Sequence, residues 1–172
     1  MNKINNKPQN NKPKHRFSLQ CVIKSPDASL FIPKRPFFTL WTKIGLAQLD
    51  YSAEVCFRIV DKNEIQTLNH LYRTKNTPTN VLSFPSERPK DIPQKSFYLG
   101  DIILCAEIIQ EEALEQNKAI EAHWAHMAIH GLLHLLGYDH IQDKDAHVME
   151  TLEIQLLEQL GWTNPYEETI HV

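Results

Sequence analysis

At 172 residues and a net charge of −3, the chain is sized for one domain with a core of its own. Its 42% hydrophobic content is ordinary for a globular protein, without an apolar run near membrane-span length or a hydrophobic leader at the N-terminus. Cys21, Cys56 and Cys105 are odd in number, far apart and never in a CxxC pair. That excludes a disulfide or thiolate framework and reads as three small buried apolar residues of a cytoplasmic protein.

The first 16 residues carry Lys3, Lys7, Lys12, Lys14 and Arg16 and no acid, so a tail of +5 precedes a remainder of −8. Rich in Asn, Pro, Lys and Gln, residues 1–16 are expected to be a disordered basic extension, solvated rather than functional. Phe17, Leu19, Cys21 and Ile23 alternate with polar positions and predict a first strand. Pro36 is placed to open a helix running to about Leu49, with Phe37, Leu40, Trp41, Ile44 and Ala47 at helical spacing. Val55, Phe57 and Ile59 alternate as a second strand. Asp61 and Glu64 then form a capping box, opening a helix that buries Ile65, Leu68 and either Leu71 or Tyr72.

A short strand from Thr79 to Phe84 stops at Pro85, and a loop over 86–96 leads to a strand from Phe97 to Leu104. From Ala106 onward the pattern is helical: one helix to about Asn117, a second rich in histidine, and a third from Asp143 to Leu160 before Gly161. Strands precede most helices, which predicts an α+β fold, a small mixed sheet of about four strands packed with about five helices. One domain is expected over 17–165, with a C-terminal tail at 166–172.

The stretch His130-Gly131-Leu132-Leu133-His134-Leu135-Leu136-Gly137-Tyr138-Asp139-His140 carries the chemistry. His130 and His134 are one helical turn apart on one face. Gly137 lets the chain leave the helix in a left-handed conformation, so His140 can return to the same spot. Three imidazoles with a fourth position open are the pattern of a catalytic zinc. Burying several imidazoles among leucines is costly unless each has a partner, and a metal serves all three.

His126 and His123 continue the stripe. His126 reads as a core residue or outer partner, His123 as a partly exposed residue at the helix start, and His147 as surface. Where zincins carry the glutamate base of HExxH, this chain has Gly131, which argues against a peptidase. Asp139 either orients an imidazole or serves the turn.

HGLLHLLGYDH, with the upstream segments LNHLYR (68–73), PTNVLSFP (78–85) and LGDI (99–102), resembles the YbeY family of bacterial endoribonucleases over roughly residues 50–162. The resemblance implies a small α+β domain holding one divalent ion, zinc by expectation, on His130, His134 and His140. It places Arg73 in the substrate cleft as a catalytic group. It implies action on RNA, maturation of small-subunit rRNA, ribosome quality control and association with the ribosome or its small subunit, with no membrane partner. A guanidinium suits the Arg73 role because its forked donors match phosphate oxygens. Asn76 and Asn80 stand where the family often has aspartate, so Asn80 is expected to fix its loop by hydrogen bonds. Ser83 is a strand residue whose hydroxyl can face the cleft, and Asp101 is expected to cap or orient local backbone.

Two other functions compete. One is a ribosome-associated factor with a structural metal. The other is a zincin-like peptidase or amidase drawing its base from Glu121 or Glu150. Arg58, Lys62, Arg73, Lys75, Arg88 and Lys90 are the cations available for an RNA-binding patch.

Overall fold

A computed structural model describes residues 14–23, 29–87 and 96–167. Most of the basic tail, Arg88 and Lys90 lie outside the described residues. Arg16, expected to end the tail, instead opens strand β1 (Arg16–Cys21), and the Lys14 amide already donates to Ser52 Oγ at 3.0 Å. Phe17 and Leu19 are half-buried, as the alternation requires. Cys21 corrects the expectation of three buried cysteines: it ends an edge strand and is exposed, whereas Cys56 and Cys105 are buried.

Helix α1 (Arg35–Gly45) has Pro36 in its first turn, where a missing N–H leaves no bond unmade. It buries Phe38 and Trp41 and ends four residues short of Leu49. Strand β2 (Ser52–Val60) leads into α2 (Lys62–Arg73), capped by Asp61, whose Oδ1 accepts from the Glu64 amide at 2.9 Å. Only this half of the capping box forms, because the Glu64 carboxylate accepts from Arg58 at 2.5 Å instead. Ile65 and Asn69 are the buried residues of α2; Leu71 and Tyr72 are 67% and 60% exposed, contrary to the helical-spacing expectation. The end of α2 is left uncovered, although the Tyr72 ring meets that of Phe84, centroids 5.0 Å apart.

Strands β3 (Val81–Pro85) and β4 (Ser96–Cys105) precede α3 (Ala106–Glu115), α4 (Ile120–Leu135) and α5 (Asp143–Gln159). The sheet order is β1-β2-β4-β3, with β1, β2 and β4 parallel and β3 antiparallel to β4. The fold is therefore α+β, and among the described residues it has the four strands and five helices that the pattern predicts. Ile102 and Leu104 of β4 point into the main core with α1 and α4, while Ile103 and Cys105 join Ile65 and Leu82 on the face covered by α2. No helix of the described residues is long and apolar enough to cross a membrane.

Eleven of the sixteen residues of α4 are buried, so this helix is enclosed rather than amphipathic. At Gly131 it lies close against the sheet: a Cβ there would be 2.6 Å from Ile102 Cγ2. A side chain there would have to displace Ile102, which accords with glycine standing where zincins carry glutamate. Overpacking of this kind costs about 1–3 kcal/mol, more than the roughly 1 kcal/mol that alanine gains over glycine in a helix. Gly131→Ala is therefore expected to lower the urea midpoint at unchanged m, measured by circular dichroism.

Candidate metal centre and cleft

Helix α4 closes with a Schellman motif. Tyr138 N–H donates to Leu133 C=O and Gly137 N–H to His134 C=O, both at 3.0 Å, with Gly137 at φ +93°. The reversal brings His140 back against the helix. Its ring centroid is 5.0 Å from that of His134 and 5.4 Å from that of His130, and one ring nitrogen from each of the three lies within 4.8 Å of the others.

The partners of these rings fix their tautomers. His134 Nδ1 is 2.9 Å from Tyr138 C=O, a group that only accepts, so Nδ1 carries the hydrogen. His130 Nδ1 is 2.6 Å from Glu153 Oε1 and donates to it. With both rings neutral in these tautomers, each Nε2 would be a lone pair, and the two nitrogens are 3.1 Å apart. Burial first, then the neighbouring His130 and His140, push the His134 pKa down to about 4, so that ring stays neutral at physiological pH. Two converging lone pairs repel unless a cation lies between them. The donor set thus fits a divalent ion held by His130, His134 and His140.

Outer partners the sequence did not reveal hold this centre. Glu153 is fully buried on α5. Its Oε1 accepts a hydrogen bond from His130 Nδ1–H; its Oε2 accepts from the Tyr166 hydroxyl and is 3.4 Å from His126 Nε2. Burial alone would raise its pKa, but the hydrogen bonds from His126 and His130 outweigh that and bring it to about 2. One signal was available: Glu153 falls on the apolar stripe of Met149, Leu156 and Leu157, where an acid must find a partner. His126, 7% exposed, is the buried outer residue expected of it. His123 is not partly exposed; it is 3% exposed because α3 lies against it, and its Nε2 is 2.7 Å from Glu112 Oε2.

Glu112 leads back to the cleft. Asn80 Nδ2 donates to both its oxygens at 3.0 and 3.1 Å, while Asn80 Oδ1 accepts from the Val81 amide at 2.7 Å. The amide therefore fixes the loop, and an aspartate would set two carboxylates against each other. Asn76 is likewise a loop fastener, accepting from Gln66 Nε2.

The cleft has a volume of about 790 Å³, with the three histidines on one wall. Arg73 and Lys75, from the end of α2 and the turn after it, line the same cleft. Arg73 is exposed, and α2 ends immediately after it at Thr74, which adopts φ 58°. Asn69, one turn earlier, secures that turn by donating to Thr77 C=O at 2.7 Å. Ser83 is buried, and its Oγ spans 3.3 Å to Gly131 C=O, fastening β3 to α4 beneath the cleft. Asp139 accepts from the His140 amide at 2.7 Å, so one of its carboxylate oxygens serves the turn.

Several expected contributors fall elsewhere. Lys62 pairs with Glu111 at 2.5 Å and Arg58 with Glu64, so neither adds to a patch with Arg73. Among the described residues Asp101 caps no backbone; it accepts from the Tyr98 hydroxyl at 2.8 Å. Glu121 lies about 13 Å of helix rise before His130, and Glu150 is exposed on α5. His147 is exposed.

The model of the family described as endoribonuclease YbeY matches residues 38–161, which include the three histidines and Arg73. The chain belongs to the YbeY family. The solution structure of TM1509 from Thermotoga maritima, titled VT1, a NESGC target protein, is 26% identical to it. That likeness covers 89% of this chain and 99% of the other, with a TM-score of 0.56. YbeY membership sets the reaction class as hydrolysis within RNA chains. The YbeY match ends at residue 161, so Tyr166, which reaches Glu153, lies beyond it.

Proposed function

We propose that this chain is a zinc-dependent, single-strand endoribonuclease that acts in maturation of small-subunit rRNA in the cytoplasm and contributes to ribosome quality control. The observation that carries the reading is the convergence of three imidazoles, the His130 and His134 Nε2 atoms 3.1 Å apart with His140 beside them, in a cleft that also presents Arg73. A divalent ion in that site supplies a Lewis acid that makes water reactive near neutral pH. Zinc suits three imidazoles, as do nickel, copper and cobalt.

The chain's own groups divide the remaining work. Arg73 binds the scissile phosphate through forked donors that stay charged at any working pH, and it opposes the negative charge gained in the transition state. Lys75 adds a second positive charge along the phosphate path. The Tyr138 carbonyl and the Glu153 carboxylate hold the two helix-borne imidazoles in the tautomers described. The cleft floor, fastened by Ser83 and Asn80, keeps β3 against α4 as substrate enters. Single strands suit such a site because their backbone is free to bend into a cleft, whereas a duplex presents its phosphates only along a stiff groove.

The test is incubation of a small-subunit rRNA fragment with zinc-loaded protein, followed by analysis of the product ends. Cleavage abolished by chelator and restored by zinc supports the reading. A 2′,3′-cyclic phosphate would assign attack to the ribose hydroxyl, and a 5′-phosphate would assign it to water. Tight zinc binding without cleavage would favour a ribosome-associated factor with a structural metal.

A further inference from the structure

We propose that Tyr166 is a positioning residue for the metal centre, acting through Glu153 on His130, so that the segment after α5 is a working part of the site. The inference rests on the reading of His130, His134 and His140 as metal ligands.

The geometry runs in one line. Tyr166 donates its hydroxyl to Glu153 Oε2, and Glu153 Oε1 accepts from His130 Nδ1 at 2.6 Å. His130 can present Nε2 toward His134 only while Nδ1 keeps its hydrogen, and Glu153 is what holds that hydrogen in place. A fully buried carboxylate with two free rotamers would be a poor guide for an imidazole. The Tyr166 bond ties down the second oxygen and so selects one orientation of the first. The tyrosine ring also stands edge-on to His126, centroids 5.4 Å apart, against the neighbouring imidazole of the same helix.

The segment that carries Tyr166 is itself anchored. Lys118 Nζ donates to the Pro165 carbonyl at 2.6 Å, and the Tyr166 amide donates to Asn164 Oδ1 at 3.0 Å. Trp162 packs against the main core. The loop before α4 and the segment after α5 thereby hold the tyrosine from two sides. Burial first, and the adjacent carboxylate next, raise the pKa of the Tyr166 hydroxyl, which keeps it a donor.

The test is zinc affinity of the full chain, measured by competition with a chromophoric chelator, for the parent, Tyr166→Phe, Glu153→Gln and the double variant. Glu153→Gln is expected to weaken zinc binding about 10–100-fold and Tyr166→Phe about threefold to tenfold, the loss of an outer partner and of that partner's own support. In the double variant the Tyr166 change should add less than twofold, because its route to His130 is already cut. Tyr166 is 46% exposed and phenylalanine keeps the ring, so the fold should survive, which far-ultraviolet circular dichroism would check. If that variant failed to fold, Lys118→Met, which frees the Pro165 carbonyl, would take its place with the same expected coupling to Glu153→Gln. Zinc binding by Tyr166→Phe within twofold of the parent overturns the proposal, as does an equal effect in both backgrounds. Failure of the parent itself to bind zinc overturns the metal reading beneath it.

Discussion

His134→Ala is expected to abolish retention of zinc and cleavage of RNA together while leaving the metal-free fold intact. The loss in affinity should exceed the roughly 10–100-fold typical of removing an outer partner, because one of three direct ligands is gone. Stability gives a readout independent of activity. Zinc at 100 times its dissociation constant should stabilise the parent by about 2.7 kcal/mol through linkage, and the same concentration should leave the variant's melting temperature nearly unchanged. In the metal-free protein the sign reverses in acid. The folded pKa of His134 is about 4, below its ordinary 6.5, so the unfolded chain takes up this proton first. The associated stability is fully present above pH 6.5 and is lost as pH falls through 4. Urea midpoints taken across that window should fall more steeply for the parent than for His134→Ala. Equal slopes would mean that burial does not hold the His134 ring neutral in the folded protein.

Arg73→Ala should show the opposite division of effects. Zinc affinity should stay within twofold of the parent, because no described contact joins Arg73 to the histidines. Cleavage should fall about 10²–10³-fold in kcat, the usual consequence of removing a donor that faces transition-state charge. Arg73→Lys should recover part of the loss, since charge remains while the forked geometry does not. Single-turnover rates with excess enzyme would separate this from weakened substrate binding. An unchanged rate would return Arg73 to the role of an exposed cation at a helix C-terminus, favoured there by the dipole.

The candidate ligand set was legible in the sequence because its information is local. Spacings of four and ten, with a glycine between the second and third histidines, specify a helix face and a return turn without reference to the rest of the chain. The strands and helices were legible for the same reason, their periods being short. What escaped was set by contacts distant in sequence. Glu153 meets His130 across 23 residues, and Tyr166 meets His126 across 40, so no periodicity announces either pair. His123 was misplaced because its burial depends on α3 lying across the start of its helix. Leu71 and Tyr72 were misplaced because helical spacing identifies a face but not how much of it the fold covers. Gly131 was informative as a departure from HExxH, and the contact that accords with it, the Ile102 methyl, became visible only with the sheet in place.

The enclosure of α4 also bears on how the two walls of the cleft move. A helix buried on every side exchanges its amide hydrogens only when much of the protein opens, whereas the end of α2, with Leu71, Tyr72 and Arg73 all exposed, can fray by itself. His130 and His134 are therefore expected in the slower-exchanging part of the molecule and Arg73 in a faster one, with His140 exposed in the turn between. An RNA strand entering the cleft would meet a firm wall at His130 and His134 and an adjustable one at the end of α2, so differences in substrate shape would be absorbed by α2.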